Sequence, residues 1–201
     1  DMTASDVALG LRLVREASWN QTEADWSRFL SLQPDGCFVA ELGGVPVGTT
    51  TTCQFGPVAW IAMVLVLQDY RRRGVATQLM EHALTYLGAR GVRTVRLDAT
   101  VYGRPVYEQL GFAAEYEVAR FADVAGATPA HSVPGLPSGR GAEPSRPTDT
   151  VPLSADQLQE VCELDCQVTG TDRRRLLAQL HAERPQDARL MLHDGVVAGF
   201  C

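Results

Sequence analysis

Disulfide scaffolds and membrane-spanning segments are the first features that this sequence lacks. Its five cysteines are odd in number, and their spacings match no disulfide framework, so a reducing, cytoplasmic setting is expected. No apolar run approaches the length of about 18 residues that marks a transmembrane helix, and no signal-peptide pattern opens the chain. We therefore expect no membrane partner.

Excess positive charge is also missing. The 201 residues carry 18 Lys and Arg against 24 Asp and Glu, a formal net charge of −6. Nucleic-acid binding needs a basic face, so no nucleic-acid partner is expected. The apolar share of 45% and the charged share of 21% are ordinary for a globular protein, and the length suits one large or two small domains.

The sequence offers little for a metal site or a thiol nucleophile. Cys162 and Cys166 are four residues apart and share a helix face, so a zinc site completed by a later histidine is one interpretation. Their spacing is not Cys-x-x-Cys, and we therefore expect no metal. Cys53 as an acyl-carrying nucleophile would need a histidine partner, whereas His82 falls on a helix and is expected to face solvent.

Periodic apolar residues predict an α/β unit in residues 1–122. Spacings of three and four predict helices, alternation predicts strands, and the nearly unbroken apolar run 59–67 indicates a strand buried on both faces. The predicted order is helix 5–18 capped by Ser5, a helix from a Thr22/Asp25 capping box to before Pro34, strands 37–41, 45–55 and 59–67, helix 74–89, strand 94–100, helix 103–110 and strand 112–120.

Two further regions follow this unit. Residues 123–150 contain five prolines among Gly, Ala and Ser, which predicts a linker. Residues 151–201 read as two helices, a strand, an Asp194-Gly195 turn and a returning strand, and the stretch 190–199 resembles the stretch 39–48. This internal echo predicts a second, related unit that lacks its later half.

One stretch has a chemical signature. The buried strand ends near Leu67, the next loop contains Arg71, Arg72 and Arg73, and Gly74 opens a helix directly. A helix start leaves backbone N–H groups unpaired and holds positive partial charge. Three arginines add charge, and the missing side chain of Gly74 lets the backbone approach an anion. The loop predicts a polyphosphate site, with a solvated basic turn as the alternative.

Two motifs together resemble the GNAT superfamily of acyl-CoA-dependent N-acyltransferases. Arg71, Gly74 and Ala76 fill its pyrophosphate signature Gln/Arg-x-x-Gly-x-Gly/Ala, and residues 107–112 match its Tyr-Glu-x-x-Gly-Phe segment. The order of predicted elements is also the family's order. The resemblance implies an α/β GNAT fold, with helices flanking a mixed central sheet, in residues 1–122. After the linker 123–150, it implies a tandem type with a partial second GNAT-like unit in residues 151–201.

The resemblance also implies acetyl-CoA as co-substrate. The backbone of Val64, Leu65 and Val66 would pair with the pantetheine arm as an added strand would. The pyrophosphate would be held by the loop and the first helical turn, namely Arg71, Arg72, Arg73, Gly74, Val75, Ala76 and Thr77. An amine would then attack the thioester directly, without a covalent acyl-enzyme, and a strand amide would stabilise the oxyanion.

Roles for side chains follow from the same resemblance. Tyr107 takes the position of the general acid that protonates the CoA thiolate, and Thr100 stands where the family often has an Asn that contacts the pantetheine or thiol. Trp19 and Asn20 lie on the loop that lines the acceptor site in the family. The base is open among four carboxylates, and Asp98 ranks first because it lies on the predicted cleft strand. The others are Glu41, Glu115 and Glu117.

The sequence thus predicts an acetyl-CoA-dependent N-acetyltransferase that acts on a primary amine of a small molecule or a peptide. A non-catalytic GNAT module that senses acyl-CoA or binds partners is the alternative. Residues 151–201 offer little surface for a core of their own. We therefore expect them to contact the first unit or a second copy of the chain in a homodimer.

Overall fold

The computed structural model describes residues 1–118 and 150–201. The helices in these ranges are α1 (Val7–Glu16), α2 (Glu23–Leu32), α3 (Val75–Ala89), α4 (Arg104–Gln109), α5 (Leu158–Thr169) and α6 (Arg174–Glu183). The strands are β1 (Cys37–Leu42), β2 (Val45–Phe55), β3 (Val58–Val66), β4 (Thr94–Arg96), β5 (Thr150–Pro152), β6 (Arg189–His193) and β7 (Val196–Phe200). Among the helices of these two ranges, none has the length and apolar character needed to cross a bilayer.

The first sheet has the order β1-β2-β3-β4. Its first three strands are antiparallel, whereas β3 and β4 run parallel and are joined through α3. Residues 47–53 of β2 are all buried, which requires cover on both faces of the sheet. The helices α1, α2 and α3 supply that cover. The mixed sheet flanked by helices that we expected is therefore confirmed.

Capping boxes precede α1 and α2. The Thr22 amide and hydroxyl donate to the Asp25 carboxylate at 2.7 and 2.9 Å, which confirms the predicted start of α2. The prediction that Ser5 caps the first helix is wrong. Thr3 is the cap, because its amide and hydroxyl donate to the Asp6 carboxylate at 2.8 and 3.0 Å and a short 3-10 turn precedes α1.

Two predicted strands are shorter than their sequence patterns. The strand expected over 94–100 ends at Arg96, and no strand forms over 112–118, while residues 119 and 120 lie outside the described ranges. The physical reason is pairing, since a strand persists only where a neighbour supplies hydrogen-bond partners. Here β3 pairs with only three residues of β4. Alternation in the sequence cannot report whether that neighbour is present.

The second sheet, β5-β6-β7, is antiparallel. It shares a small core with α5 and α6, centred on Leu153, Val161, Leu190 and Val197. The helices and strands expected in residues 151–201 are therefore confirmed. The predicted linker 123–150 lies outside the described residues except at its last residue, Thr150, which pairs with Met191 and begins β5.

Close packing of α1 on α2 depends on Gly10. A Cβ atom added there would lie 2.6 Å from the fully buried ring of Trp26. Gly88 of α3 is the converse case, because a Cβ there would meet no atom within 4 Å. The two glycines therefore form a matched pair for testing the packing.

We expect Gly10→Ala to lower the free energy of unfolding by about 1–3 kcal/mol, because the added methyl group overpacks the helix contact. Gly88→Ala should raise it by up to about 1 kcal/mol, because alanine favours a helix where space is open. Urea unfolding followed by circular dichroism measures both. Effects of the same sign would contradict this packing of α1 on α2.

Candidate functional site

An opening lies between β3 and β4. The shorter strand pairs with Val58, Ala59 and Trp60, and on that edge no described strand pairs with residues 61–66 of β3. A free strand edge presents backbone N–H and C=O groups at regular spacing. It can therefore accept an extended ligand as an added strand.

A β-bulge lies within this free stretch. Met63 and Val64 of β3 together lie opposite the single Thr50 of β2. Met63 adopts a φ of 52°. The carbonyls of Ala62 and Met63 accept hydrogen bonds from the hydroxyls of Thr51 and Thr49, at 3.2 and 2.9 Å. Sequence reasoning missed this bulge. The run of four threonines facing an apolar strand is the signal that could have indicated it.

The chain leaves β3 through an anchored turn. The Arg71 guanidinium donates from Nε to the Val66 carbonyl at 3.0 Å, and the Gln68 amide donates to the Glu16 carboxylate at 3.0 Å. That backbone hydrogen bond is the main reason why the pKa of Glu16 is lowered. Glu16 thus ties the end of α1 to the loop. No local pattern signals this contact, because it joins residues 52 positions apart.

The start of α3 leaves several amides free. Gly74 is the N-cap, has a φ of 79° that favours glycine, and provides no side-chain cap. The first helical hydrogen bond runs from the Gln78 amide to the Gly74 carbonyl at 3.0 Å. Within the described part of the chain, the amides of Val75, Ala76 and Thr77 have no acceptor. These amides could donate hydrogen bonds to an anion, and the helix dipole favours negative charge at the same place.

Three arginines precede this helix start. Among the described residues, no carboxylate lies within 4.0 Å of the charged groups of Arg71, Arg72 or Arg73. Arg73 lies over the Tyr70 ring at 5.3 Å, and Arg72 has a φ of 59°. The loop therefore presents positive charge without ion-pair partners beside free amides, which suits a pyrophosphate.

Tyr107 of α4 packs near the free edge of β3. It contacts the same buried cluster as Val64, a cluster that consists of Ala59, Ile61, Met80, Ala83 and Leu87. Its ring centroid lies 6.1 Å from that of Phe112. Burial raises the pKa of the Tyr107 phenol, so the phenol stays protonated at neutral pH and can donate its proton.

Thr100 holds the turn that leads into α4. Its hydroxyl accepts a hydrogen bond from the Gly103 amide at 3.2 Å, and its carbonyl accepts from the amides of Gly103 and Arg104 at 3.0 and 2.9 Å. The side chain therefore helps to position the helix that carries Tyr107. A contact between Thr100 and a ligand stays a prediction.

The candidate bases are spread over the first unit. The prediction that Asp98 lies on a strand is wrong, because β4 ends at Arg96. Asp98 lies two residues beyond that end and is exposed. Glu115 pairs with Arg96 at 3.3 Å. Glu41 lies on β1, the edge of the sheet opposite to β4, and Glu117 is exposed. Asp98 is therefore the candidate that lies nearest to the opening along the chain.

The α1–α2 loop lies beside the end of β3. Trp19 is half-buried and packs against the same core cluster that contains Val66 and Val75. Its amide donates to the Val14 carbonyl at 3.0 Å, which fixes the start of the loop. Asn20 is exposed on the same loop. The structure thus packs one predicted acceptor-side residue against the core of the first unit.

Neither buried thiol of the first unit is suited to nucleophilic work. Burial raises the pKa of Cys37 to about 12 and that of Cys53 to about 11, so neither forms a thiolate at neutral pH. Within residues 1–118 and 150–201, no group of three or more His, Cys, Asp or Glu side chains could hold a metal ion.

Comparison with known sequences gives two relatives. An Arabidopsis thaliana protein named N-alpha-acetyltransferase MAK3 is 35% identical over 92 residues, which is 42% of this chain and 48% of the relative. An uncharacterised N-acetyltransferase of Methanocaldococcus jannaschii is 32% identical over 108 residues, 49% of this chain and 47% of the relative. The chain thus spans about half the length of the relatives it matches.

One solved structure extends the likeness to the second unit. A Pyrococcus horikoshii protein assigned as an acetyltransferase superposes with a TM-score of 0.68 and 25% identity, over 99% of this chain and 64% of its own. Ard1 from Thermoplasma volcanium superposes with a TM-score of 0.53 and 21% identity, over 56% of this chain and 80% of its own, which shows the shared fold alone.

Residues 10–112 match the model of the acetyltransferase (GNAT) family, and this match covers just over half of the chain. It contains the opening beside β3, the arginine loop, the start of α3 and Tyr107. The chain therefore belongs to the GNAT family of acetyltransferases.

Proposed function

We propose that the chain is an acetyl-CoA-dependent N-acetyltransferase that transfers an acetyl group to a primary amine. One observation carries the proposal. The free edge of β3 over residues 64–66 continues, through the anchored Arg71 turn, to the free amides of residues 75–77. A ligand with an extended, amide-containing arm that ends in a pyrophosphate would fit the strand edge with its arm and the start of α3 with its pyrophosphate.

Acetyl-CoA has that shape and that charge. Its pantetheine amides would pair with the backbone of Val64, Leu65 and Val66, and its pyrophosphate would accept hydrogen bonds from the first turn of α3. The arginine loop supplies charge without ion-pair partners among the described residues. The side chain that Gly74 lacks leaves room for the phosphate oxygens.

The proposed reaction is a direct transfer. The acceptor nitrogen attacks the thioester carbonyl carbon, a C–N bond forms, and the C–S bond breaks after a tetrahedral intermediate. Tyr107 donates its phenolic proton to the departing thiolate, and the protonated phenol that burial favours supports this role. Asp98 is the proposed acceptor of the amine proton, directly or through water.

The proposed acceptor is the N-terminal amine of a peptide, with a small-molecule amine as the second option. The Arabidopsis relative is named an N-alpha-acetyltransferase, which supports the first. Trp19 and Asn20 are the proposed acceptor contacts, because their loop lies beside the end of β3. A non-catalytic acyl-CoA module is the alternative, because Thr100 stands where the family often has an Asn that contacts the pantetheine or thiol. Release of CoA only in the presence of an amine would select the enzyme.

We further propose that residues 150–201 are a second, partial copy of the first unit. The capping boxes at Thr3 and Ser154 each precede a helix pair. The helix pairs end at Gln33 and Arg184, which share nearly the same backbone angles, φ −145° with ψ 70° and φ −144° with ψ 62°. After a hairpin turn with two positive φ angles, β2 and β7 each contain one extra residue in the pairing, Val47 and Ala198. These coincidences support a duplication.

The phosphate loop is tested by Gly74→Glu. We expect at least about 100-fold weaker acetyl-CoA binding in isothermal titration calorimetry, because a carboxylate beside the pyrophosphate adds like-charge repulsion. Gly43→Glu is the matched control, since Gly43 also has a positive φ and open space but lies in the β1–β2 turn. Equal affinity of the two variants for acetyl-CoA would contradict the assignment of the arginine loop as the pyrophosphate site.

The acid is tested by Tyr107→Phe. We expect kcat to fall about 100-fold, with the acetyl-CoA dissociation constant nearly unchanged. In the wild type, the loss of kcat at alkaline pH should follow the ionisation of this phenol. Burial moves the phenol pKa above its ordinary value of about 10. Tyr102→Phe, at a side chain that is 90% exposed, is the control. A Tyr107→Phe variant with the kcat of the wild type would show that Tyr107 packs but does not act as the acid.

A further inference from the structure

The helix α6 of the second unit contacts α2 in its middle and at its C-terminal end. In the middle, Arg28 of α2 pairs with Glu183 of α6. At the C-terminal end, the Arg175 guanidinium donates to the Leu32 carbonyl at 3.0 Å. Beside Arg175, Leu176 packs against a cluster that contains Leu32. The second unit therefore holds α2 at two polar points and one apolar point.

Arg28 is the centre of the first polar point. Its NH2 and Nε groups donate to the Glu183 carboxylate at 2.6 and 3.2 Å, and its NH1 group donates to Asp25 at 2.9 Å. Only 18% of the Arg28 side chain is exposed, which shields the pair from solvent. Two-point guanidinium–carboxylate pairs fix orientation as well as distance.

Asp25 carries this connection into the α1–α2 loop. Its Oδ1 atom accepts from Arg28, while its Oδ2 atom accepts from the Thr22 amide and hydroxyl at 2.7 and 2.9 Å. Thr22 is the residue at which the loop ends and α2 begins. A continuous chain of hydrogen bonds thus leads from Glu183 of the second unit to the loop of the first.

The loop itself begins beside the turn that follows β3. Trp19 packs in the same core cluster as Val66 and Val75, which flank the arginine loop. At the start of the loop, Glu16 accepts from the Gln68 amide at 3.0 Å. A shift in the loop therefore changes what lies beside the end of β3, where an acceptor would approach the thioester.

We propose that Glu183 of the second unit is a positioning residue for the acceptor side of the first unit, acting through Arg28, Asp25 and Thr22. The proposal rests on the proposed function, because it assigns the acceptor to the α1–α2 loop. On this proposal, the second unit affects acceptor binding, although none of its described residues belongs to the proposed acetyl-CoA site. Its expected signature is a change in acceptor KM without a change in acetyl-CoA affinity.

The test compares Glu183→Gln with Asp187→Asn in the full chain. Both remove one carboxylate near the end of α6, but Asp187 pairs only with Arg184 of its own segment at 2.6 Å, among described residues. With a peptide bearing a free N-terminus as the acceptor, Glu183→Gln should raise KM roughly three- to tenfold. Its kcat and its acetyl-CoA dissociation constant should stay within about twofold of the wild type, and Asp187→Asn should change none of the three.

Amide hydrogen exchange provides a readout that needs no acceptor. In Glu183→Gln, residues 18–22 should exchange faster than in the wild type, and in Asp187→Asn they should not. Unchanged exchange in Glu183→Gln, or an unchanged acceptor KM in an active variant, would overturn the positioning role. If the wild type releases no CoA with the peptide while the exchange difference is present, the proposed acceptor fails and the coupling between the units stands.

Discussion

The early end of the β3–β4 pairing is the constraint on which the site depends. A strand inside a helix-covered sheet must satisfy its backbone groups, because buried unpaired N–H and C=O groups cost free energy. On one edge of β3 the partner is β2, and at the bulge the hydroxyls of Thr49 and Thr51 add hydrogen bonds to the carbonyls of Met63 and Ala62. On the other edge, β4 stops at Arg96. A ligand that supplies strand-like hydrogen bonds can complete the sheet there.

Much of this arrangement could be predicted from local sequence. The apolar run 59–67 and the helix pattern after Gly74 predict the strand β3 and the helix α3, with the arginine loop between them. The length of β4 and the contact of Glu16 with Gln68 could not be predicted in this way. Each depends on a partner distant in sequence, and a periodic pattern carries no information about that partner.

The same distinction applies to the second unit. Its helices and strands follow from periodicity and from the resemblance of residues 190–199 to 39–48, which the backbone angles at Gln33 and Arg184 support. Its docking on α2 does not follow, because Arg28 and Glu183 are 155 positions apart and each resembles an ordinary surface charge in the sequence. An ion pair between residues so far apart in sequence can be identified only from the three-dimensional positions of α2 and α6.

The central claim is that acetyl-CoA completes β3 and caps α3, and amide chemical shifts test it most directly. In nitrogen-15-labelled protein titrated with acetyl-CoA, the account predicts saturable shifts at residues 64–66 and 74–77, because amides of both segments would gain acceptors. The β1–β2 turn at Gly43 should stay unchanged. Saturable binding that leaves both segments unshifted and perturbs other amides instead would contradict the account.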